Sequence, residues 1–503
     1  MSGPERLAPA SRSDLPSAGG RIHLVGIAGA GMRSLAALLS AAGYRVSGCD
    51  RGEAGDLPEM SDLDALSIRR AAGHSPEHVR GMDLIVRSAA VPENAPELEA
   101  ARGVGVPVIL RARALGALLN PRRLAGIAGT HGKTTITAMA GLACEAGGLD
   151  PTVSVGGRVE EWAGFARAGS GPAAVAEADE FDRSFLRLDP WLAVVSSLEP
   201  EHLETYGGEE ELRAAFAEFA GRAVERGGVL VCADDPGARA LARELRGRAL
   251  TYGFAPEADY RVETLPEAGG RAAFRLHAPD GAHEFELRVP GRHNARNAAA
   301  ALAVALRLGA DPRAAAGSLG RFGGVARRLQ VLAETGGLRV VDDYAHHPTE
   351  VRASLSALRA GRPDERLVAV FQPHLFSRTR RFAAEFAAAL GGADEALVLP
   401  IYPSREEPIP GVTSERIEAA ARASGAGGVR SGAGSGAGGV RCASGPEALE
   451  RVREAIAAAP GPSAGPDGSV RAVSPVTFVF MGAGDVTALA HRAAELVNDV
   501  LGA

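Results

Sequence analysis

Twice in its first 150 residues this chain runs from an apolar strand through a glycine loop straight into a helix, and no other feature restricts the fold as strongly. The first copy is the strand Ile22–Ile27, the loop GIAGAGM at Gly26–Met32 and a helical run over Ser34–Ala42. The second is the strand Leu124–Ala128, the loop GTHGKTT at Gly129–Thr135 and a helix from Thr135. A strand that feeds a helix in this way returns to a parallel neighbour, so each copy opens a wound α/β sheet. Apolar strands at Leu84–Val86 and Val106–Leu110 extend the first segment, which closes near Asn120–Pro121. Strands at Ala173–Ala176, Leu192–Ser196 and Val229–Cys232 extend the second. A third series, Arg339–Val341, Leu367–Phe371, Ala396–Leu399 and Thr477–Phe480, begins after Arg327–Arg328. A length of 503 residues suits about three domains.

The GTHGKTT loop has the chemistry of a phosphate cradle. Its glycines let backbone N–H groups curl around phosphate oxygens, and the helix start adds a positive dipole. Lys133 would reach the β- and γ-phosphates, and the Thr134 hydroxyl would bind Mg²⁺. The pattern is a shortened GxxGK[ST], since Ile127 stands where the longer form has its first glycine. Lys133 is also the only lysine among 55 basic residues. Arginine fills every other basic position, so this one demands a compact point charge on a flexible stem.

Acidic and histidine clusters sit where strands end. Glu177-Ala-Asp179-Glu180 follows one strand, and Glu199-Pro-Glu201-His202 follows the next. Open α/β sheets bind ligands at that edge, so a Mg²⁺ site is the better reading, with solvated acidic loops as the alternative. Asn294, with His293 and Asn297, precedes an apolar helix and fits either adenine binding or helix capping. Asp342 to Pro348 (DDYAHHP) and Gln372 to Arg380 (QPHLFSRTR) end two neighbouring strands and are rich in histidine, aspartate and arginine. The first glycine loop, with Asp50 about 20 residues on, places phosphates on a helix N-terminus. Ala28 replaces a glycine of the dinucleotide fingerprint, which argues against NAD.

Composition excludes several classes. A net charge of −6 offers no overall basic field, so nucleic acid is not an expected partner. The four cysteines form no CxxC pair, and no apolar run reaches about 18 residues, so neither a zinc knuckle nor membrane insertion is expected. The Ser/Pro/Ala-rich stretch over 1–20 lacks the apolar core of a secretory signal and reads as a disordered tail, so a cytoplasmic location is expected. SGAGGVR occurs twice, at Ser424–Arg430 and Ser435–Arg441, and PGPSAGPDGS spans Pro460–Ser469. These mark flexible insertions near 424–445 and 460–470.

Nine motifs in order, GIAGAGM, GTHGKTT, AEADEFDRSFL, EHLETYGG, PGRHNARNA, RRLQ, DDYAHHPTE, FQPHLFSRTR and IYPSREEPIPG, resemble the Mur ligases over about residues 21 to 495. Within that family the series is most similar to the branch that joins L-alanine to UDP-N-acetylmuramate. The resemblance implies an α/β fold of three domains. These are an N-terminal Rossmann-like UDP-binding domain over 21–120, a central P-loop ATPase-like domain with a mostly parallel sheet over 121–325, and a C-terminal Rossmann-like, amino-acid-binding domain over 326–503. It implies ATP and Mg²⁺ as cofactors, UDP-N-acetylmuramate and L-alanine as substrates, and a monomer or homodimer. ATP would be held by Gly129, Thr130, His131, Gly132, Lys133, Thr134 and Thr135, with Asn294 and Arg328. The metal would be held by Thr134, Glu177 and His202. The UDP-sugar would lie on Gly29, Ala30, Gly31 and Met32, with Asp50 and Ser88. Tyr344, His346, His374 and Arg378 would line the alanine and sugar-acid site. Catalytic roles fall to Lys133, Glu177, His202, His346 and Arg378.

The chain departs from the family at Ser196-Ser197 (usually Thr-Asn), Glu201 (usually Asp), Phe181 and Leu375. It has no second lysine to be carbamylated, which agrees with the alanine-adding branch. In a reaction where ATP makes an acyl phosphate that neutral alanine amine then attacks, His346 or His347 is the expected proton acceptor. Three domains sharing one site would close on their ligands to keep water from that intermediate.

Overall fold

In the computed structural model of the chain, the described residues are 8–51, 60–201, 203–268, 271–404, 406–424, 439–458 and 475–501. The chain divides into two compact units, 1–288 with 294–325, and 289–293 with 326–503. The first unit holds two sheets and the second holds one.

The first sheet is built from β1 Arg21–Val25, β2 Arg45–Asp50, β3 Arg69–Ala72, β4 Leu84–Arg87 and β5 Val108–Leu110. Its order is β3-β2-β1-β4-β5 and every pairing is parallel. Both faces are covered, so β1 and β4 are mostly apolar, broken in β1 by the buried His23, and Leu24, Val25, Ile85 and Val86 are fully buried. The order reverses between β1 and β4, the position at which such sheets bind ligands.

The second sheet has ten strands: β6 Arg123–Ala128, β7 Thr152–Val159, β8 Gly164–Arg167, β9 Ala173–Glu177, β10 Leu192–Val195, β11 Gly228–Cys232, β12 Ala249–Gly253, β13 Tyr260–Ala268, β14 Arg271–Ala278 and β15 Gly281–Leu287. Their order is β15-β14-β13-β12-β11-β10-β6-β9-β7-β8. The centre, from β12 to β7, is parallel, while β13-β14-β15 and β7-β8 are antiparallel. β6 therefore sits mid-sheet, and the loop it carries emerges between β9 and β10.

The second unit contains β16 Gln330–Thr335, β17 Leu338–Asp343, β18 Arg366–Phe371, β19 Glu395–Val398, β20 Val440–Cys442 and β21 Val476–Met481, in the order β16-β17-β21-β18-β19-β20. Only β16–β17 is antiparallel. Separate apolar clusters fill its two faces, one around Phe478 and Phe480 and one around Phe371 and Phe386.

Residues 8–20 correct the expectation of a disordered tail. Ala10 and Leu15 are buried, the Ala10 N–H donates to Arg187 O at 2.9 Å, Asn120 Nδ2 donates to Ala10 O at 2.7 Å, and Asp14 pairs with Arg113 at 2.6 Å. Two small apolar anchors hold a segment that has no periodicity to betray them. The first Gly/Ser repeat and the Pro460–Ser469 segment lie almost wholly outside the described residues. No helix among the described residues is long and apolar enough to cross a membrane.

Candidate active site

The phosphate loop leaves β6 at Ala128 and enters the helix Lys133–Ala146. Gly129 and Gly132 have φ of +135° and +83°, conformations that a side chain would strain. A Cβ on Gly129 would lie 2.2 Å from Ser196 Oγ, and one on Gly132 would lie 2.8 Å from Asn297 Oδ1. The end of β10 braces the loop. Thr130 N–H donates to Ser197 O at 3.1 Å, His131 N–H donates to Ser197 Oγ at 2.8 Å, and Glu199 N–H donates to Thr130 Oγ1 at 2.9 Å. Ser196 Oγ donates to His131 O. Both serines that depart from the family pattern thus hold the loop, and Thr135 is buried behind it.

Lys133 lies almost enclosed. Its Nζ donates to Gly129 O at 2.6 Å and to both oxygens of Glu180, at 2.8 and 3.0 Å. Burial opposes the ammonium charge, but the carboxylates of Glu180, Asp179 and Glu177 outweigh it and hold Lys133 above its ordinary range. Burial pushes the Glu180 carboxyl up to about 7, with the Lys133 charge pulling it back and Asp179 adding to the rise. This ion pair joins residues 47 apart, and nothing in the sequence announced it. Tyr206 donates its hydroxyl to Glu180 O at 2.6 Å, fixing the loop that carries the carboxylate.

Thr134 Oγ1 donates to Glu177 Oε1 at 3.1 Å, and Gly156 N–H donates to Glu177 Oε2 at 2.8 Å. A hydroxyl and a carboxylate held together at a helix N-terminus form the hard-oxygen set that Mg²⁺ prefers, so these residues fit the metal. His202, expected as a further ligand, lies outside the described residues. Asn294 and Asn297 are both buried on the helix Arg292–Leu308, with Asn297 Nδ2 3.5 Å from Asn294 Oδ1. Asn297 thereby backs the phosphate loop at Gly132.

In the first sheet the loop after β1 turns at Gly26, with φ +85°, and Gly29 starts the helix Ala30–Ala41. The Gly26 and Ile27 N–H groups donate to Cys49 O, and Ala28 N–H donates to Asp50 Oδ2 at 2.9 Å. Asp50 therefore shapes this loop. Ser88 follows β4, and a Cβ on Gly26 would lie 3.2 Å from its own. A Cβ on Gly31 would meet the Arg111 guanidinium at 3.0 Å, which adds a cation that sequence reasoning passed over. The Met32 side chain is 2% exposed and packs in the core, so Met32 would meet a ligand only through its backbone.

In the second unit, β17 and β18 end in the two histidine-rich loops. The Arg327 and Arg328 guanidinium carbons lie 4.7 and 5.2 Å from the Tyr344 ring centre, within cation–π range. His346 packs on Tyr344 at 5.2 Å and on His374 at 5.8 Å, and His374 stacks on Tyr402 at 5.9 Å. Arg378, buried in the first turn of the helix Phe376–Leu390, places Nη1 3.3 Å from His374 Nδ1. The four expected residues thus form one cluster. Burial pushes the Asp343 carboxyl up to about 6, opposed by Arg328 and by N–H donation from Ala345 and Leu329. His347 has a structural task as well. It is buried and caps the helix Pro348–Gly361, its Nδ1 accepting from Thr349 N–H at 3.4 Å. Glu350 completes that capping box and also pairs with Arg328 at 3.7 Å.

A mid-sheet GxxGK[ST] loop with a threonine–carboxylate pair at its helix start defines a nucleotide-using phosphoryl-transfer enzyme. Three family models match the chain in order, the Mur ligase family catalytic domain over 21–123, the Mur ligase middle domain over 127–305, and the Mur ligase glutamate ligase domain over 327–473. The chain belongs to the Mur ligase family. It is 42% identical over 483 residues to the UDP-N-acetylmuramate–L-alanine ligase of Chlorobaculum parvum, covering 95% of this chain and 96% of that one. It is 47% identical over 402 residues to the enzyme of that name from Paenarthrobacter aurescens, covering 79% and 87%. Among solved structures it resembles the UDP-N-acetylmuramate-alanine ligase MurC of Thermotoga maritima, with a TM-score of 0.74, 26% identity and coverage of 95% and 99%. A murein peptide ligase from Psychrobacter arcticus shares the fold, with a TM-score of 0.66 at 21% identity.

Proposed function

We propose that this chain joins L-alanine to the lactyl carboxylate of UDP-N-acetylmuramate, cleaving ATP to ADP and phosphate, in the making of peptidoglycan precursors. The observation that carries the reading is Lys133, a sole lysine enclosed at the helix start beside Thr134 and Glu177. The relatives' names supply the two substrates.

A carboxylate is a poor electrophile, and transfer of the γ-phosphoryl group turns it into an acyl phosphate with a good leaving group. The loop N–H groups and Lys133 hold the phosphates in line and offset the charge that spreads over the moving phosphoryl group. In doing so Lys133 exchanges the Glu180 carboxylate for phosphate oxygens. Mg²⁺ held by Thr134 and Glu177 would neutralise further phosphate charge. The alanine amine attacks the acyl carbon, and phosphate leaves from the tetrahedral intermediate. His346 takes the amine proton on Nε2, since its Nδ1–H donates to the Tyr344 carbonyl at 2.9 Å and so makes Nε2 the basic nitrogen. Arg378 and Tyr344 orient the carboxylates of the reactants.

The test is phosphate release from ATP with each substrate added in turn. Release that requires both UDP-N-acetylmuramate and L-alanine is expected. Nucleotide binding with no substrate-dependent release would overturn the reading.

A further inference from the structure

The first sheet carries a second group of reactive side chains that the ligase reaction does not use. His23 on β1, Cys49 on β2, His74 in the loop after β3, His78 in the short helix Pro76–Val79 and Glu97 at the start of the helix Pro96–Val104 converge on one face. His23, Cys49 and Glu97 are 3%, 0% and 0% exposed. Glu97 Oε1 is approached by four groups: Cys49 Sγ at 3.2 Å, His74 Nδ1 at 3.2 Å, Ser75 N–H at 2.8 Å and His78 Nδ1 at 3.0 Å. Its sibling oxygen, Oε2, has no hydrogen-bond partner among the described residues, and neither has His23 Nε2.

A hydrogen-bond hub alone accounts poorly for this. Burial raises the Glu97 carboxyl, yet backbone amides, Cys49 and His78 outweigh it and hold the group below its ordinary range. It is a buried anion, and among the described residues no arginine or lysine pairs with it; its only ion-pair partners are His74 and His78. Buried charge of that kind calls for a cation.

We propose that Cys49 Sγ, His74 Nδ1 and Glu97 Oε1 bind a zinc-class divalent ion that is separate from the Mg²⁺ of the reaction. Zinc bond lengths of about 2.0–2.3 Å place tetrahedral ligand atoms about 3.3–3.6 Å apart. The three separations here are 3.6 Å from sulfur to His74, 3.2 Å from sulfur to Glu97 and 3.2 Å from His74 to Glu97. Thiolate, imidazole and carboxylate together favour zinc or cobalt over magnesium. The fourth position goes to water, which the partly exposed His74 side admits. His78 orients the carboxylate from outside the metal shell, in the manner of ligand-supporting residues. A second triad, His23, Cys49 and His78, with ligand atoms within 4.8 Å of one another, shares the same sulfur. Binding breaks the Cys49 S–H bond and forms a sulfur–metal bond, so one proton leaves to solvent. The Cys49 carbonyl meanwhile accepts from Gly26 and Ile27 N–H, so the ion would fix the strand that holds the first glycine loop.

The test uses the full chain without an affinity tag, reduced, stripped with EDTA and titrated with Co²⁺. The expected result is one equivalent giving a thiolate-to-cobalt absorption band, with one proton released, and displacement by Zn²⁺. The Thr134–Glu177 pair has only oxygen donors and gives no such band. Cys49→Ala should abolish the band, and His74→Ala should weaken cobalt binding at least tenfold. If Cys49→Ala does not fold, the wild-type titration and His74→Ala decide. Absence of the band in the wild type, its survival in folded Cys49→Ala, or unchanged affinity in His74→Ala would overturn the proposal.

Discussion

The Lys133 ammonium lies between the Gly129 carbonyl and the Glu180 carboxylate, so phosphate binding at this loop exchanges one anionic partner for another. Arginine cannot make that exchange, because its planar fork is too large for the enclosed position. Lys133→Arg should therefore lower substrate-dependent phosphate release about 10²–10³-fold, as removal of one charge-stabilising donor does elsewhere, with an unchanged circular dichroism spectrum. Glu180 sets a pH dependence. Its carboxyl titrates at about 7, above its ordinary 4.5, so it is protonated below 7 and holds Lys133 as an anion above it. ATP should bind more weakly as pH rises past 7, by up to about tenfold per unit for one linked proton. Calorimetry from pH 6 to 8.5 should show this slope, and Glu180→Gln should flatten it. For stability the sign is the same. A raised carboxyl contributes below its unfolded value of 4.5, and the contribution is lost as pH rises through 7.

At the scale of elements, the turn before the helix Lys133–Ala146 depends on two glycines for different reasons. Gly132→Ala should cost about 1–2 kcal/mol, chiefly through positive φ. Gly129→Ala should cost more, about 2–4 kcal/mol, since its Cβ also meets Ser196 Oγ and the Ser197 backbone. Urea unfolding of both variants checks that order. These loops were legible because a parallel strand buried on both faces is a continuous apolar run, and glycine marks its end. The edge hairpins were not. In β13 and β14, Tyr260, Val262, Phe274 and Leu276 are buried and alternate with Arg261, Glu263, Arg275 and His277, a one-sided alternation easily passed over. Strand order, with β6 between β9 and β10, leaves no trace in local pattern. At the site, motif residues were legible and their partners were not. Glu180 on Lys133, Arg111 at Gly31 and Tyr402 on His374 are meetings made by topology, and His347 as a cap looked like any other histidine of its motif.

The whole molecule carries its chemistry in two compact units, the nucleotide loop in the first and the His346–His374–Arg378 cluster in the second. Nucleotide binding should stabilise the native chain by about 2.7 kcal/mol at 100 times the dissociation constant, and Lys133→Ala should remove most of that gain in thermal unfolding. In the proposed reaction the phosphoryl group passes from ATP to the sugar-acid carboxylate before alanine attacks. This order is tested by supplying UDP-N-acetylmuramate with ¹⁸O in its lactyl carboxylate and analysing the released phosphate by mass spectrometry. The acyl-phosphate route predicts one ¹⁸O atom in each phosphate formed with L-alanine. Unlabelled phosphate, or label in AMP instead, would contradict it.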